Sequence, residues 1–364
     1  MIQKIVFPII LIAALTSCAD DGTDGEVSAA DSLNYMEFYG NTQGTTFAVI
    51  CNDDIDITTE EIETILDDFD LALSSYIPNS TISKLNAAGA GVFEFRDSGN
   101  YFRRCYDISK RVFNLSNGRF DPTVFPLVDA WGFFGNEQKD IPDSARVDFL
   151  RALSGFELAG HFNYLGSSDS IATDSTIYKI QKITPNSQLG FDAVAQGLAV
   201  DILAECLESK GARNYFVEIG GEIRVKGVNT EGELWSIGID KPIENSTTET
   251  REIQKIVKLD DRSIATSGSY RRFYEKDGLK YSHTIDPRSG YPVQHSLLST
   301  SVIADDCAMA DAMATTFMVM GADSTMAFVK EHPELGLDVY LIFINEKGLM
   351  ETYYTAAFKD SGGD

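Results

Sequence analysis

From about residue 34 to the C-terminus the chain offers no place to divide it, because no Pro/Gly-rich linker, internal repeat or low-complexity block interrupts it. Its periodic segments must then share one interwoven domain, and they are of two kinds. Thr58-Thr59-Glu60-Glu61 has capping-box spacing, and Ile62, Ile65, Leu66, Phe69 and Leu73 follow on one helical face. A second helix is predicted from about Val194 to Lys210, with Leu198, Ala199, Ile202, Leu203, Cys206 and Leu207 on one face and Gly211 as its stop. Asn214 to Ile219, Gly220-Gly221 and Glu222 to Lys226 read as a hairpin with a two-residue turn, and Trp235 to Asp240 as a further strand. A third helix covers about Cys307 to Met320 and stops at Gly321, and Val339 to Asn345 forms a late strand. The class is α+β with mainly antiparallel pairing.

The N-terminus obeys other rules. Residues 1–17 hold one charge, Lys4, ahead of a run from Ile5 to Leu15 that is apolar apart from Pro8. This is a signal-peptide layout, too short to span a bilayer of roughly 30 Å. Leu15-Thr16-Ser17-Cys18 resembles a bacterial lipobox, so Cys18 is expected to carry lipid and to anchor the protein in the cell envelope, facing the periplasm. An ordinary secretory signal with a chance cysteine is the alternative. Residues 18–33 read as an acidic, solvated tether, 34–358 as the folded domain and 359–364 as a frayed tail. Cys51, Cys105, Cys206 and Cys307 lie far apart without a C-x-x-C, which gives no support to a zinc ribbon or a thioredoxin-type site. They read as core residues. Their even number in an oxidising compartment permits disulfides, although Cys206 on a helix's apolar face favours simple burial.

Thirty Lys plus Arg against 55 Asp plus Glu give a net charge of −25. Such a field repels nucleic acid and anionic membrane surfaces, so nucleic-acid binding is not expected. An apolar share of 43% excludes disorder and collagen as descriptions of the body. An acidic protein that handles a phosphate-bearing ligand needs local help from backbone amides, a helix N-terminus or a divalent metal.

Three segments could supply that help. Asp311 and Thr315 stand four residues apart on the third helix, so their oxygens share a face as two hard ligands for magnesium or calcium should. A helix with one buried Asp and a Thr bonded back to a carbonyl would look the same. The loop from Tyr281 to Pro292 presents His283, Asp286 and Arg288 on a turn marked by Asp286-Pro287 and Gly290. His suits proton transfer near neutrality and Arg can grip a phosphate through two bonds, yet a lone loop His can equally be structural. Gly190 to Gly197 leads into the second helix with small residues that would let backbone amides approach a phosphate, or that simply permit tight packing. It has neither a Rossmann nor a P-loop pattern. Aromatic and hydroxyl-bearing segments at Gly44 to Phe47, Ser74 to Ser80, Gly118 to Thr123 and Trp131 to Phe133 would suit a flavin or base ring, with Asp121 fixing its polar edge.

Taken in order, these segments resemble the ApbE family of FAD:protein FMN transferases over about residues 38–330. The carriers are Gly44 to Phe47, Ser75-Tyr76 to Asn86, Gly118 to Trp131, Ala193 to Asp201, Val217 to Ile223, Ala265 to Gly268, His283 to Pro292, and Ala310 to Ala312 with Thr315. The resemblance implies a T-fold-like architecture, FAD as substrate and a magnesium ion. It also implies transfer of FMN from FAD to a Thr or Ser hydroxyl of an exported flavoprotein, with release of AMP. By position, Asp311, Thr315 and the carbonyl of Ala193 match the metal ligands and His283 the candidate general base. Gln43, Tyr76, Asp121, Gly190, Gln196 and Ile285 match the lining of the FAD cleft. Three positions depart from the family pattern: Gln196 stands for Lys, Gly190 for Asp and Ser289 for Thr. A hydrolase giving FMN and AMP, and a non-catalytic FAD-binding lipoprotein, are the alternatives. The expected acceptor motif is Asp-x-x-Ser/Thr-Gly-Ala-Ser/Thr.

Overall fold

The structure, a computed structural model, describes residues 34–135, 140–156, 160–167, 176–243, 250–269, 273–276 and 279–358. The signal peptide, Cys18, the tether and the C-terminal tail lie outside the described residues. Helices there are α1 (Thr59–Leu73), α2 (Thr81–Ala87), α3 (Tyr101–Leu115), α4 (Phe125–Ala130), α5 (Ser144–Arg151), α6 (Ala195–Ser209), α7 (Cys307–Met320) and α8 (Ala322–Glu331).

One wholly antiparallel sheet runs in the spatial order Tyr35–Thr42, Thr45–Asn52, Tyr215–Ile219, Glu222–Lys226, Ser263–Gly268, Leu297–Ala304, Asp338–Ile344 and Met350–Tyr354. Side chains of its central strands alternate between two cores rather than between core and water. Val49, Val217, Ile219, Ala265, Val302 and Leu341 join the core that the helices fill. Ala48, Ile50, Phe216, Ile223, Ile264 and Ile342 meet a two-stranded ribbon, Trp235–Asp240 with Ile253–Leu259, on the other face. A third, smaller core gathers Leu127, Trp131, Val147, Leu150, Leu153 and Ile285 around α4 and α5.

Local signals mostly hold. Thr58 caps α1 by accepting the Glu61 N–H at 3.2 Å, but the Glu61 carboxylate pairs with Lys210 at 2.9 Å, tying the start of α1 to the end of α6. The hairpin turns at Gly220 and Gly221, whose φ values of 63° and 108° need glycine, and Ile219 pairs with Glu222 across it. The second helix buries more than its predicted face. Leu198, Ala199, Leu203 and Leu207 are buried and Ile202 and Cys206 are half-buried against the same core, while Gly197, Val200, Asp201 and Ala204 are buried as well because α7 packs against the Gly197–Asp201 side. Cys51, Cys105 and Cys307 are buried and all four described cysteines are free thiols.

Candidate active site

The site is set by how closely α6 and α7 approach. A Cβ on Gly197 would lie 2.8 Å from the Cys307 carbonyl carbon and 2.9 Å from Ala308 Cα, so only glycine lets these backbones meet. One turn along α7, Asp311 Oδ2 accepts the Gly197 N–H at 3.1 Å. In a longer helix that N–H would close on the Ala193 carbonyl, so Ala193 and Asp311 stand at the same turn of α6. Asp311 is buried, and burial raises its pKa. The Gly197 N–H works against that rise and the charge of Asp192 adds to it. Within α7 only Thr315 and Met320 escape full burial. Thr316, not Thr315, bonds back to a helical carbonyl, that of Ala312 at 2.7 Å, while the Thr315 hydroxyl lies 3.3 Å from Ser267 Oγ. A carboxylate, a hydroxyl and a carbonyl at one turn are a hard-oxygen donor set, which suits magnesium. Among the described residues no group of three His, Cys, Asp or Glu could hold a metal, so the magnesium reading needs the neutral donors too.

In the segments expected to face the ligand several polar atoms are buried without a protein partner: both amide atoms of Gln43, the Thr46 hydroxyl and the Ser75 hydroxyl. Gln43 sits at φ 50° in the turn between the first two strands, and the Thr46 carbonyl accepts the Gly220 N–H at 3.2 Å, which sets the two hairpin turns side by side. A Cβ on Gly220 would come within 2.8 Å of Gln196 Nε2, so the Gln196 amide reaches the same place. Buried orphan donors and acceptors are costly unless a ligand satisfies them, and a polar-edged ring such as a flavin is the ligand class that fits.

An aromatic wall connects the remaining residues. Tyr76, 59% exposed, packs on Phe134 at 4.6 Å, and Phe134 on Phe125 at 4.8 Å. Phe125 in turn abuts Gly190, where an added Cβ would meet its ring at 2.7 Å, so a larger side chain has no room here unless that ring shifts. Phe133 stands edge-on to His283 at 6.4 Å, and Trp131 donates to the Gly290 carbonyl at 2.9 Å. The segment 125–134 therefore brings the Tyr76, Gly190 and His283 loops together. Ile285 is buried in the third core beneath that segment.

Three sequence expectations look different in three dimensions. Both carboxylate oxygens of Asp121 serve the protein: one accepts the Thr123 N–H at 2.8 Å and its hydroxyl, the other the Gly155 N–H at 2.7 Å and the Phe156 N–H at 3.4 Å. Asp121 is thus an anchor for the segment whose Pro122 carbonyl holds the Gly190 N–H at 2.8 Å. Arg288 spends its fork on Asp286, with Nε at 3.0 Å and Nη2 at 2.8 Å, which lowers the Asp286 pKa against the opposing effect of burial. The start of α6 is no open cradle of amides either, since the Ala195 N–H goes to the Phe191 carbonyl at 2.8 Å and that of Gly197 to Asp311. Ser267 had no sequence signal as a neighbour of Thr315; the contact exists because its strand runs beneath α7.

Comparison with known proteins follows this geometry. The family model described as the ApbE family matches residues 43–341. An FAD:protein FMN transferase of Haemophilus influenzae is 33% identical over 98% of each chain, and one of Vibrio cholerae is 33% identical over 88% of this chain and 90% of that one. Among solved structures, the flavin transferase ApbE from Vibrio cholerae superposes with a TM-score of 0.74 at 31% identity, covering 90% of this chain and 99% of that one. The apo flavinyl transferase ApbE of Pseudomonas stutzeri gives the same score and identity over 90% and 97%.

Proposed function

The chain belongs to the ApbE family, and from that premise we propose that it transfers FMN from FAD to a Thr or Ser hydroxyl of a target flavoprotein and releases AMP. A P–O bond forms between the acceptor oxygen and the FMN phosphorus as the pyrophosphate bond to AMP breaks. His283 takes the proton from the attacking hydroxyl, imidazole being the side chain suited to proton transfer near neutrality. Gln43 and Gln196 donate to the polar edge of FAD, Tyr76 covers its ring, and Gly190 and Ile285 shape the walls that Asp121 holds in place. Asp311, Thr315 and the Ala193 carbonyl would hold magnesium, which supplies neutralisation of pyrophosphate charge when bound. The residues themselves do the rest: the aromatic wall excludes water, and the orphaned polar atoms orient the flavin.

What supports the metal part of this reading is one juxtaposition, a buried carboxylate on α7 held by the first turn of α6, with the half-buried hydroxyl of Thr315 four residues on. Residues 34–358 act as one transferase domain. Cys18 carries the lipid that anchors it in the cell envelope, and the acceptor is an exported flavoprotein with the motif given above.

The test incubates the soluble form from about Asp31 with FAD, magnesium and an exported acceptor domain, and reads the acceptor's intact mass. A gain of one FMN minus water, lost with chelator, is the expected result. AMP and free FMN without a mass gain would make the protein a hydrolase, and bound, uncleaved FAD would make it a carrier.

A further inference from the structure

Asp201 lies at the middle of α6, 2% exposed, and takes no part in the chemistry above. Its carboxylate accepts the Cys307 N–H at 3.0 Å and the Ala308 N–H at 2.9 Å, two of the donors that the first turn of α7 leaves open. Arg224, on the strand Glu222–Lys226, adds a 2.8 Å ion pair. Arg224 also lies 3.8 Å from Glu208, which the Tyr215 hydroxyl and Lys226 reach at 2.7 and 3.1 Å. A negative charge on a helix N-terminus is favourable, and here it comes from a neighbouring helix, in addition to the cap that Asp306 already provides to the Met309 N–H.

We infer that Asp201 is a positioning residue for the metal site: it fixes where α7 starts against α6, and so fixes Asp311 and Thr315 against Ala193. This rests on the proposed metal assignment. The two helices touch at three places along one line. Asp201 holds the Cys307–Ala308 N–H groups, Gly197 lies against the same two residues by backbone contact, and the Gly197 N–H holds Asp311 one turn later. The middle contact is backbone on backbone and has no side chain to set a register, and the third is a single hydrogen bond. The carboxylate of Asp201, with three partners in fixed directions, does set it.

The test uses the full chain and two readouts that need no turnover: the magnesium concentration giving half-maximal change in bound-FAD fluorescence, and backbone hydrogen exchange of the metal-free protein. Asp201→Asn keeps the size and removes the charge. It should raise the half-saturating magnesium at least tenfold and speed exchange both at Cys307–Ala308 and in the first turn of α6. Arg224→Met leaves the two backbone bonds in place, should give a smaller change of the same sign, and carries the test if Asp201→Asn does not fold. Val257→Ala, in the ribbon core on the opposite face of the sheet, supplies a matched loss of thermal stability and should leave both readouts unchanged. A magnesium response within twofold of wild type in Asp201→Asn, or an equal shift in Val257→Ala, overturns the inference while Asp311→Ala still loses the response. If Asp311→Ala keeps the response, the metal assignment itself falls and this inference with it.

Discussion

Replacing Gly197 by alanine separates stability from positioning. The added methyl would sit 2.8 Å from the Cys307 carbonyl carbon and 2.9 Å from Ala308 Cα, where ordinary contact begins at 3.4 Å. These atoms and the Cys307 carbonyl oxygen, which lies nearest of all, are backbone and cannot rotate away, so α7 must retreat by roughly half an ångström to one ångström, and overpacking of this kind costs about 1–3 kcal/mol. Against that, alanine in a helix gains about 1 kcal/mol over glycine. The net loss of stability is therefore small, about 0–2 kcal/mol. The consequence for the site is not small, because Gly197 also donates to Asp311 and the same retreat stretches that 3.1 Å bond. A misplacement on the order of 1 Å can cost about a hundredfold in rate, equivalent to about 2.7 kcal/mol of barrier. Thermal unfolding should thus move by a few degrees while the initial rate of FMN transfer, read as acceptor mass against time, drops about a hundredfold. A transfer rate within about threefold of wild type in a folded Gly197→Ala protein would refute the claim that the α6–α7 contact sets the site.

Three other outcomes are expected. His283→Ala should bind FAD with unchanged affinity by fluorescence titration yet transfer FMN far more slowly, and equal rates would move the proton acceptor elsewhere. With chelator present, affinity for FAD should fall at least tenfold while affinity for riboflavin, which lacks the pyrophosphate, stays the same; an equal fall for both would remove the link between metal and phosphate. His295 accepts the Leu297 N–H at 3.3 Å and donates to the Met318 carbonyl at 2.7 Å, so the neutral ring is the one that fits, and burial lowers its pKa below 6.5. The unfolded chain then binds the proton more readily. Stability should be full above pH 6.5 and decline as pH falls below it, with that part of the slope absent from denaturation curves of His295→Gln.

What the sequence made legible was whatever neighbouring residues decide among themselves. The cap at Thr58, the Gly220-Gly221 turn and the ends of the third helix are local geometries, each written in a few residues. The second buried side of α6 is illegible for the opposite reason. Leu198, Ala199, Leu203 and Leu207 are buried as their spacing predicts, but a glycine and an aspartate are buried beside them, and nothing in a helical pattern says that a second helix will cover them. Asp121 shows the same limit. Its residue type suits a ligand contact, and only the fold reveals that Thr123, Gly155 and Phe156 have already claimed both oxygens. Thr315 was found as half of a spacing, and its neighbour Ser267 could not be, because 48 residues separate them in sequence.

The charge of −25 makes the way this protein holds an anion the central physical question about its site. Three kinds of local help were available to it, and the described structure uses up two of them. The N–H groups of Ala195 and Gly197, the natural anion donors at the start of α6, are bonded to Phe191 and Asp311. The Arg288 guanidinium is bonded to Asp286, and position 196 carries an amide rather than a cation. What remains at that turn is the opposite of an anion site: a buried carboxylate, raised in pKa because its charge is poorly solvated, beside a half-buried hydroxyl. Such a pair repels a pyrophosphate unless a divalent cation stands between them. On the proposed metal assignment, an uncharged residue at position 196 leaves phosphate binding to depend more on that divalent ion, and every contact that fixes Asp311 and Thr315, from Gly197 to Asp201, then bears on phosphate binding as much as on the fold.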